Sequence, residues 1–194
     1  MDTQKYSKEI FRFIILIPHR DTQRLLYEYR KKLFSSGLTG AHAFPAAAPL
    51  AQVSAPFSTM ELKDLGRNLR DLTIKNDGRI QGTTMAAIRC SEHFSFFGPQ
   101  LKLETDRTVF PQSSRDRIIM QLSPPLLCAA LISPGSDPGK ENHFDNEGPA
   151  FSFRAAALAN LSVRFLDEGE KDFSLEWRTG ALVWLPAYRR RKEE

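Results

Sequence analysis

Phe44-Pro45-Ala46-Ala47-Ala48-Pro49-Leu50-Ala51 is the stretch on which the reading of this chain turns. It closes a small-residue-rich run that begins near Gly37 and leads into a short apolar strand predicted over Leu50 to Val53. A loop thus delivers small side chains onto the start of a strand, a junction that lines a cleft when it carries a site. A second stretch, Pro125-Leu126-Leu127-Cys128-Ala129-Ala130, is built alike. Pro124 and Pro125 end whatever precedes them, and a buried strand is predicted from Leu126 to Ile132.

Upstream of the first stretch, Ile10 to Pro18 (IFRFIILIP) is rich in β-branched and aromatic residues and stops at a proline, which predicts a mostly buried, central first strand. Asp21 or Thr22 then opens a helix whose buried stripe is read as Leu25, Leu26, Tyr29 and Leu33, with Arg24, Glu28, Arg30 and Lys31 on the wet side and Gly37 as the stop. Downstream, Ser58-Thr59-Met60-Glu61 is a capping box, closed by a Phe57/Leu62 staple. It starts a second helix with a core stripe of Leu62, Leu65, Leu69 and Leu72, ended by a turn at Asn76-Asp77-Gly78.

From Thr83 the pattern changes to strands: Met85 to Cys90, Phe94 to Phe97, a break at Gly98-Pro99, and a half-exposed Leu101-Lys102-Leu103-Glu104. Ser113 to Leu122 fits a short helix better than a strand. The polar, Gly/Pro-rich residues 133–150 form a long loop suited to a lid. Phe151 to Phe165 and Phe173 to Pro186 then make a hairpin about Asp167-Glu168-Gly169-Glu170, with Leu161, Val163 and Phe165 on one face. Trp177 and Trp184 are read as sheet-packing residues on that hairpin rather than as base-stacking platforms.

The bounds agree with an ordinary globular domain. The chain has 194 residues, 41% of them hydrophobic and 26% charged, with a net charge of +4. Its N-terminal apolar run is too short for a signal or membrane-crossing segment, so no membrane role and a cytoplasmic location are expected. Cys90 and Cys128 lack metal-ligand spacing, so two reduced, inert thiols are expected, with no metal and no cofactor. Residues 1–187 read as one domain and 188–194 as a basic tail. Arg189, Arg190, Arg191 and Lys192 of that tail are candidates for nucleic-acid contact, although a short cluster of this kind is ordinarily a solvated terminus.

The two quoted stretches, and the order of elements around them, resemble the 2H phosphoesterase superfamily, the RNA 2',3'-cyclic phosphodiesterases and "2'-5' RNA ligases". In that family a Phe-Pro-Pro-His-x-Thr-Leu-type segment carries a catalytic histidine, and a second motif faces it. Ala47 stands here in the place of the first histidine and Pro49 in that of its hydroxyl residue; Leu126 and Cys128 stand in the second pair. Ala47 and Leu126 lie 79 positions apart, as motifs on facing lobes would. The resemblance implies an α+β fold of two pseudo-symmetric lobes of antiparallel sheet, with helices on the outer faces and an inter-lobe groove. It also implies what has been lost. Two histidines act there as general base and general acid about a cyclic phosphate, and alanine and leucine transfer no proton.

The four histidines offer one alternative. His93-Phe94-Ser95-Phe96 has the His-x-hydroxyl form, so a divergent, metal-independent phosphodiesterase would use His93 and Ser95 with His42 or His19. No other His-x-Thr or His-x-Ser occurs. His143, among Glu141, Asp145 and Glu147, belongs to a solvated acidic loop. There is no phosphate-binding glycine loop and no Ser/His/Asp order. The expectation is therefore a catalytically degenerate, non-catalytic binding module for RNA, a nucleotide or a protein partner.

Overall fold

The computed structural model describes residues 8–42, 44–75, 79–133, 149–165 and 173–185. The elements run β1 (Lys8–Pro18), α1 (Arg20–Ser35), β2 (Ala48–Val53), α2 (Thr59–Lys75), β3 (Ile80–Arg89), β4 (Ser95–Leu101), β5 (Ile118–Gln121), β6 (Ala130–Ile132), β7 (Ala150–Phe151), β8 (Phe153–Phe165) and β9 (Phe173–Trp184). They make an α+β fold with two antiparallel sheets, in the orders β5-β2-β1-β8-β9 and β6-β4-β3-β7.

β1 is central, as its unbroken apolar run predicts. Ile14 sits opposite Ala51 of β2 on one side and Leu158 of β8 on the other. Successive strand side chains point to opposite faces. Ile14 and Leu16 join a cluster with Leu62, Leu65 and Leu69 of α2, whereas Phe13 and Ile15 join a second cluster with Phe94 and Phe96. That second cluster is where the sheets face one another. Phe11 meets Phe94 at 5.4 Å between ring centroids, Phe13 meets Phe96 at 5.2 Å, and Phe44 is wedged edge-on between Phe96 and Trp177 at 4.7 and 3.9 Å. Each such pair adds about 0.5–1.5 kcal/mol beyond the area it buries. Trp177 thus packs as expected. Trp184 does not: it is 65% exposed, with the Arg154 guanidinium over its ring.

The helix ends follow the sequence signals. Gly37 has φ 96°, and its N–H donates to Phe34 O while that of Leu38 donates to Leu33 O, the paired bonds of a glycine C-cap. At α2 the Ser58 N–H donates to Glu61 Oε2 at 2.7 Å and the Glu61 N–H to Ser58 Oγ at 3.3 Å. Leu62, Leu65 and Leu69 are buried as read; Leu72 has its side chain outside the described set.

α1 differs from expectation. His19 is its N-cap, and the buried residues are Thr22, Leu26, Arg30 and Leu33, a regular four-four-three stripe. Leu25 is 52% exposed, and Arg30, expected in water, is 7% exposed. α1 runs beside the second sheet, where Leu25, Leu26 and Tyr29 share a cavity of about 220 Å³ with Pro99, Leu127 and Phe151.

Three further expectations are corrected. Gly98-Pro99 does not break the strand but lies inside β4, because the ladder to β3 shifts register between Gly82 and Met85 and so tolerates a residue without an N–H. Leu101 to Glu104 keeps its in-out burial yet leaves the ladder after Leu101, with Thr105 held instead by Gln121 and Leu122. Ser113 to Leu122 divides into a 3-10 turn, Gln112–Arg117, and the strand β5. The turns at 76–78 and 167–170, most of the 133–150 loop and the tail 188–194 lie outside the described residues, as does the side chain of Phe165.

Gly98 is required by close approach. A Cβ there would collide with the Leu127 carbonyl, whereas one at Gly180 would meet its nearest neighbour, Leu158 O, at an ordinary 3.6 Å. Gly98→Ala is expected to cost about 3 kcal/mol or more and Gly180→Ala no more than about 0.5 kcal/mol. Urea unfolding of the two variants checks this; equal effects would refute the packing account.

Candidate functional site

The two sequence stretches meet. The Cys128 N–H donates to the Ala47 carbonyl at 3.0 Å, so the lead-ins to β2 and β6 are joined main chain to main chain. Ala47 is 1% exposed and Leu126 and Cys128 are fully buried, in the cluster that holds Phe13, Phe44 and Phe96; Pro49 is buried opposite Ile15 of β1. These four positions therefore belong to the core and line no open groove. The physical reason is the aromatic seam: with phenylalanines filling the space between the sheets, only small or apolar side chains fit beside them.

Arg30 locks the junction. Its Nη1 donates to Phe44 O at 2.6 Å, and its Nη2 donates to Pro45 O at 3.0 Å and to Cys128 O at 2.7 Å. One guanidinium from α1 thereby holds both stretches. Burial pulls its pKa below the ordinary arginine value. Among the described residues no carboxylate pairs with it, and its Nε has no hydrogen-bond partner. Sequence reading missed this residue, although the spacing Thr22, Leu26, Arg30, Leu33 was the signal for it.

Both thiols are buried and unpaired with one another. Cys128 donates to Ala130 O at 3.3 Å, and burial pushes its pKa up to about 12 despite the nearby Arg30. Burial shifts Cys90 in the same direction. Neither is a nucleophile near neutral pH.

The alternative site is not assembled by the described side chains. His93 lies in the turn before β4, 4.0 Å from Glu9 Oε2 at the start of β1, and Ser95 is 4% exposed. Along β4, Ser95 pairs with Ile132 whereas Gln100 bridges to Leu126, about 17 Å further on at strand spacing. His19 lies past the far end of β1, with Nδ1 3.8 Å from Asp21, about 30 Å along the strand from Glu9. His93 and His19 therefore cannot flank one phosphate. His42 closes a 3-10 turn, Thr39–His42, with its side chain outside the described set, as is His143. Among the described residues no group of three or more His, Cys, Asp or Glu could hold a metal ion, and no helix is long and apolar enough to cross a membrane.

An open groove of about 900 Å³ lies beside the junction, along the first half of α1. Arg20, Arg24, Tyr27 and Arg30 line it together with Asp21 and Ala46. No protein-family model matches the chain, and no curated protein matches it.

Arg30→Ala would leave two buried carbonyls, those of Phe44 and Cys128, and the part-buried carbonyl of Pro45 without this donor. It is expected to destabilise the fold by about 3–5 kcal/mol, with Arg30→Lys recovering less than half because an ammonium cannot reproduce the planar fork. Denaturant unfolding measures both, and a loss below about 1 kcal/mol would contradict the clamp. The thiols set an alkaline limit. A folded-state pKa raised above the unfolded value near 9.0 gives stability that is complete below pH 9 and is lost as pH climbs towards about 12. The urea midpoint should fall over that window, less steeply in Cys128→Ala; identical slopes would remove Cys128 as the cause.

Proposed function

We propose that this protein is a catalytically degenerate 2H-phosphoesterase-like protein, a non-catalytic binding module whose ligand is RNA or a nucleotide rather than a substrate. One observation carries the reading: the two motif-like stretches lie side by side, hydrogen-bonded through Cys128 and Ala47, with no proton-transferring side chain at either. The arrangement of two antiparallel sheets facing one another, with α2 against one and α1 beside the other, supports two pseudo-symmetric lobes with helices on their outer faces.

The chemistry follows from what occupies the junction. In-line hydrolysis of a cyclic phosphate needs a base for the attacking hydroxyl or water and an acid for the leaving oxygen, each worth about 10²- to 10⁴-fold in rate. Ala47 and Leu126 supply neither. The neutral thiol of Cys128 is committed to Ala130 O, and the Arg30 Nη groups are spent on carbonyls, so no free donor meets a phosphate there. Ligand contacts therefore belong on the surface beside the junction. A protein partner in place of a nucleotide would use the same exposed elements.

Turnover of a 2',3'-cyclic nucleotide and of a short RNA ending in a cyclic phosphate tests this, with folded wild-type protein and His93→Ala assayed with and without chelator. The expected result is no hydrolysis above background by either protein. Metal-independent hydrolysis abolished in His93→Ala would overturn the reading and install His93 as an active-site residue.

A further inference from the structure

We propose that the groove along the first half of α1 binds the phosphate group of a small phosphorylated ligand of nucleotide size, with Arg20 and Arg24 as the contacting residues, Arg30 as buried counter-charge and Tyr27 as the apolar wall. The choice of ligand class rests on the binding reading above; the site itself rests on the groove.

Four observations converge on it. First, Arg20 and Arg24 are exposed and four residues apart, which on a helix brings their side chains over one another, so that two guanidinium forks can share one phosphate. Second, α1 begins here without a side-chain cap: His19 makes no capping hydrogen bond, and the positive end of a 16-residue helix faces the same region. Third, Arg30 is a buried cation forming part of the groove lining. It is bonded to neutral carbonyls alone, with its Nε unpartnered among the described residues. A buried charge without an opposite charge is costly, and an anion in the groove beside it relieves that cost. Fourth, the described lining carries three arginines, Arg20, Arg24 and Arg30, against one acidic residue, Asp21, whose side chain is 85% exposed and 3.8 Å from His19 Nδ1.

Size and shape set the ligand class. A volume of about 900 Å³ lies within the range of small-molecule sites and exceeds what a bare phosphate fills. Tyr27, 58% exposed, stands one turn beyond Gln23 and adds an aromatic side chain to the groove lining. The proposal is of binding alone and involves no covalent step.

The test is calorimetric titration of the full chain with inorganic phosphate, adenosine 5'-monophosphate and adenosine at low ionic strength. Saturable binding of the monophosphate is expected, with inorganic phosphate weaker and adenosine weaker by at least tenfold. Arg20→Gln/Arg24→Gln should weaken the monophosphate at least tenfold while leaving the melting temperature of the unliganded protein unchanged, since both side chains are exposed. Tyr27→Ala should weaken the monophosphate several-fold and inorganic phosphate not at all. Monophosphate binding that survives Arg20→Gln/Arg24→Gln would overturn the site while leaving a binding function in place. An absence of saturable binding by phosphate and monophosphate alike would overturn the proposal outright, and turnover measured separately decides the non-catalytic reading.

Discussion

The Arg30 guanidinium is the constraint on which the rest depends. It leaves α1 and reaches three carbonyls, those of Phe44, Pro45 and Cys128, across sequence separations of 14, 15 and 98 residues. Such carbonyls, buried without a donor, would each cost about 1–3 kcal/mol. Lysine could not satisfy them, because the three acceptors need a planar fork with several fixed N–H directions. α1 must therefore lie where its third turn points into the junction, and its stripe of Thr22, Leu26 and Leu33 is fixed by that requirement as much as by hydrophobic burial.

Around this polar point the molecule is dry and aromatic. Phe13, Phe44, Phe94 and Phe96 are each at most 1% exposed, and the space between the sheets is theirs. A histidine at position 47 or 126 would sit among phenyl rings, where burial penalises its charged form and no described side chain waits to pair with it. Alanine and leucine at these places agree with their surroundings. So does Cys128, a small, weakly polar side chain whose thiol finds a carbonyl two residues away. The absence of a proton-transferring side chain at these two positions and the filling of the seam are thus one fact seen from two sides.

What the sequence made legible was local. The capping box at Ser58 and Glu61, the glycine C-cap at Gly37 and the apolar run of β1 act within a few residues, and each predicts its own hydrogen bonds. What stayed illegible depends on partners distant in the chain. Arg30 reads as a surface residue until Cys128 arrives, and Leu25 reads as core until α1 is rotated to deliver Arg30. Gly98-Pro99 reads as a break because nothing local announces the register shift at Gly82 or the close pass of Leu127. The stretches around Ala47 and Cys128 meet through one main-chain hydrogen bond, and their burial follows from phenylalanines that lie elsewhere in the chain.

The same arginine links the interior to the surface. Its Nη groups face the junction, yet the side chain also lines the groove shared by Arg20 and Arg24. A cation held by neutral dipoles is stabilised less than one facing a carboxylate, and at the reduced dielectric of a half-buried site its field extends into the groove. An anion placed there interacts with a charge whose desolvation has already been met by folding, so little reorganisation is needed on binding. Ligand binding to the native state alone raises its stability by mass action. Were the groove to take an anion as proposed, Arg30 would be the one side chain shared by the ligand site and by the clamp on the two stretches that meet beneath it.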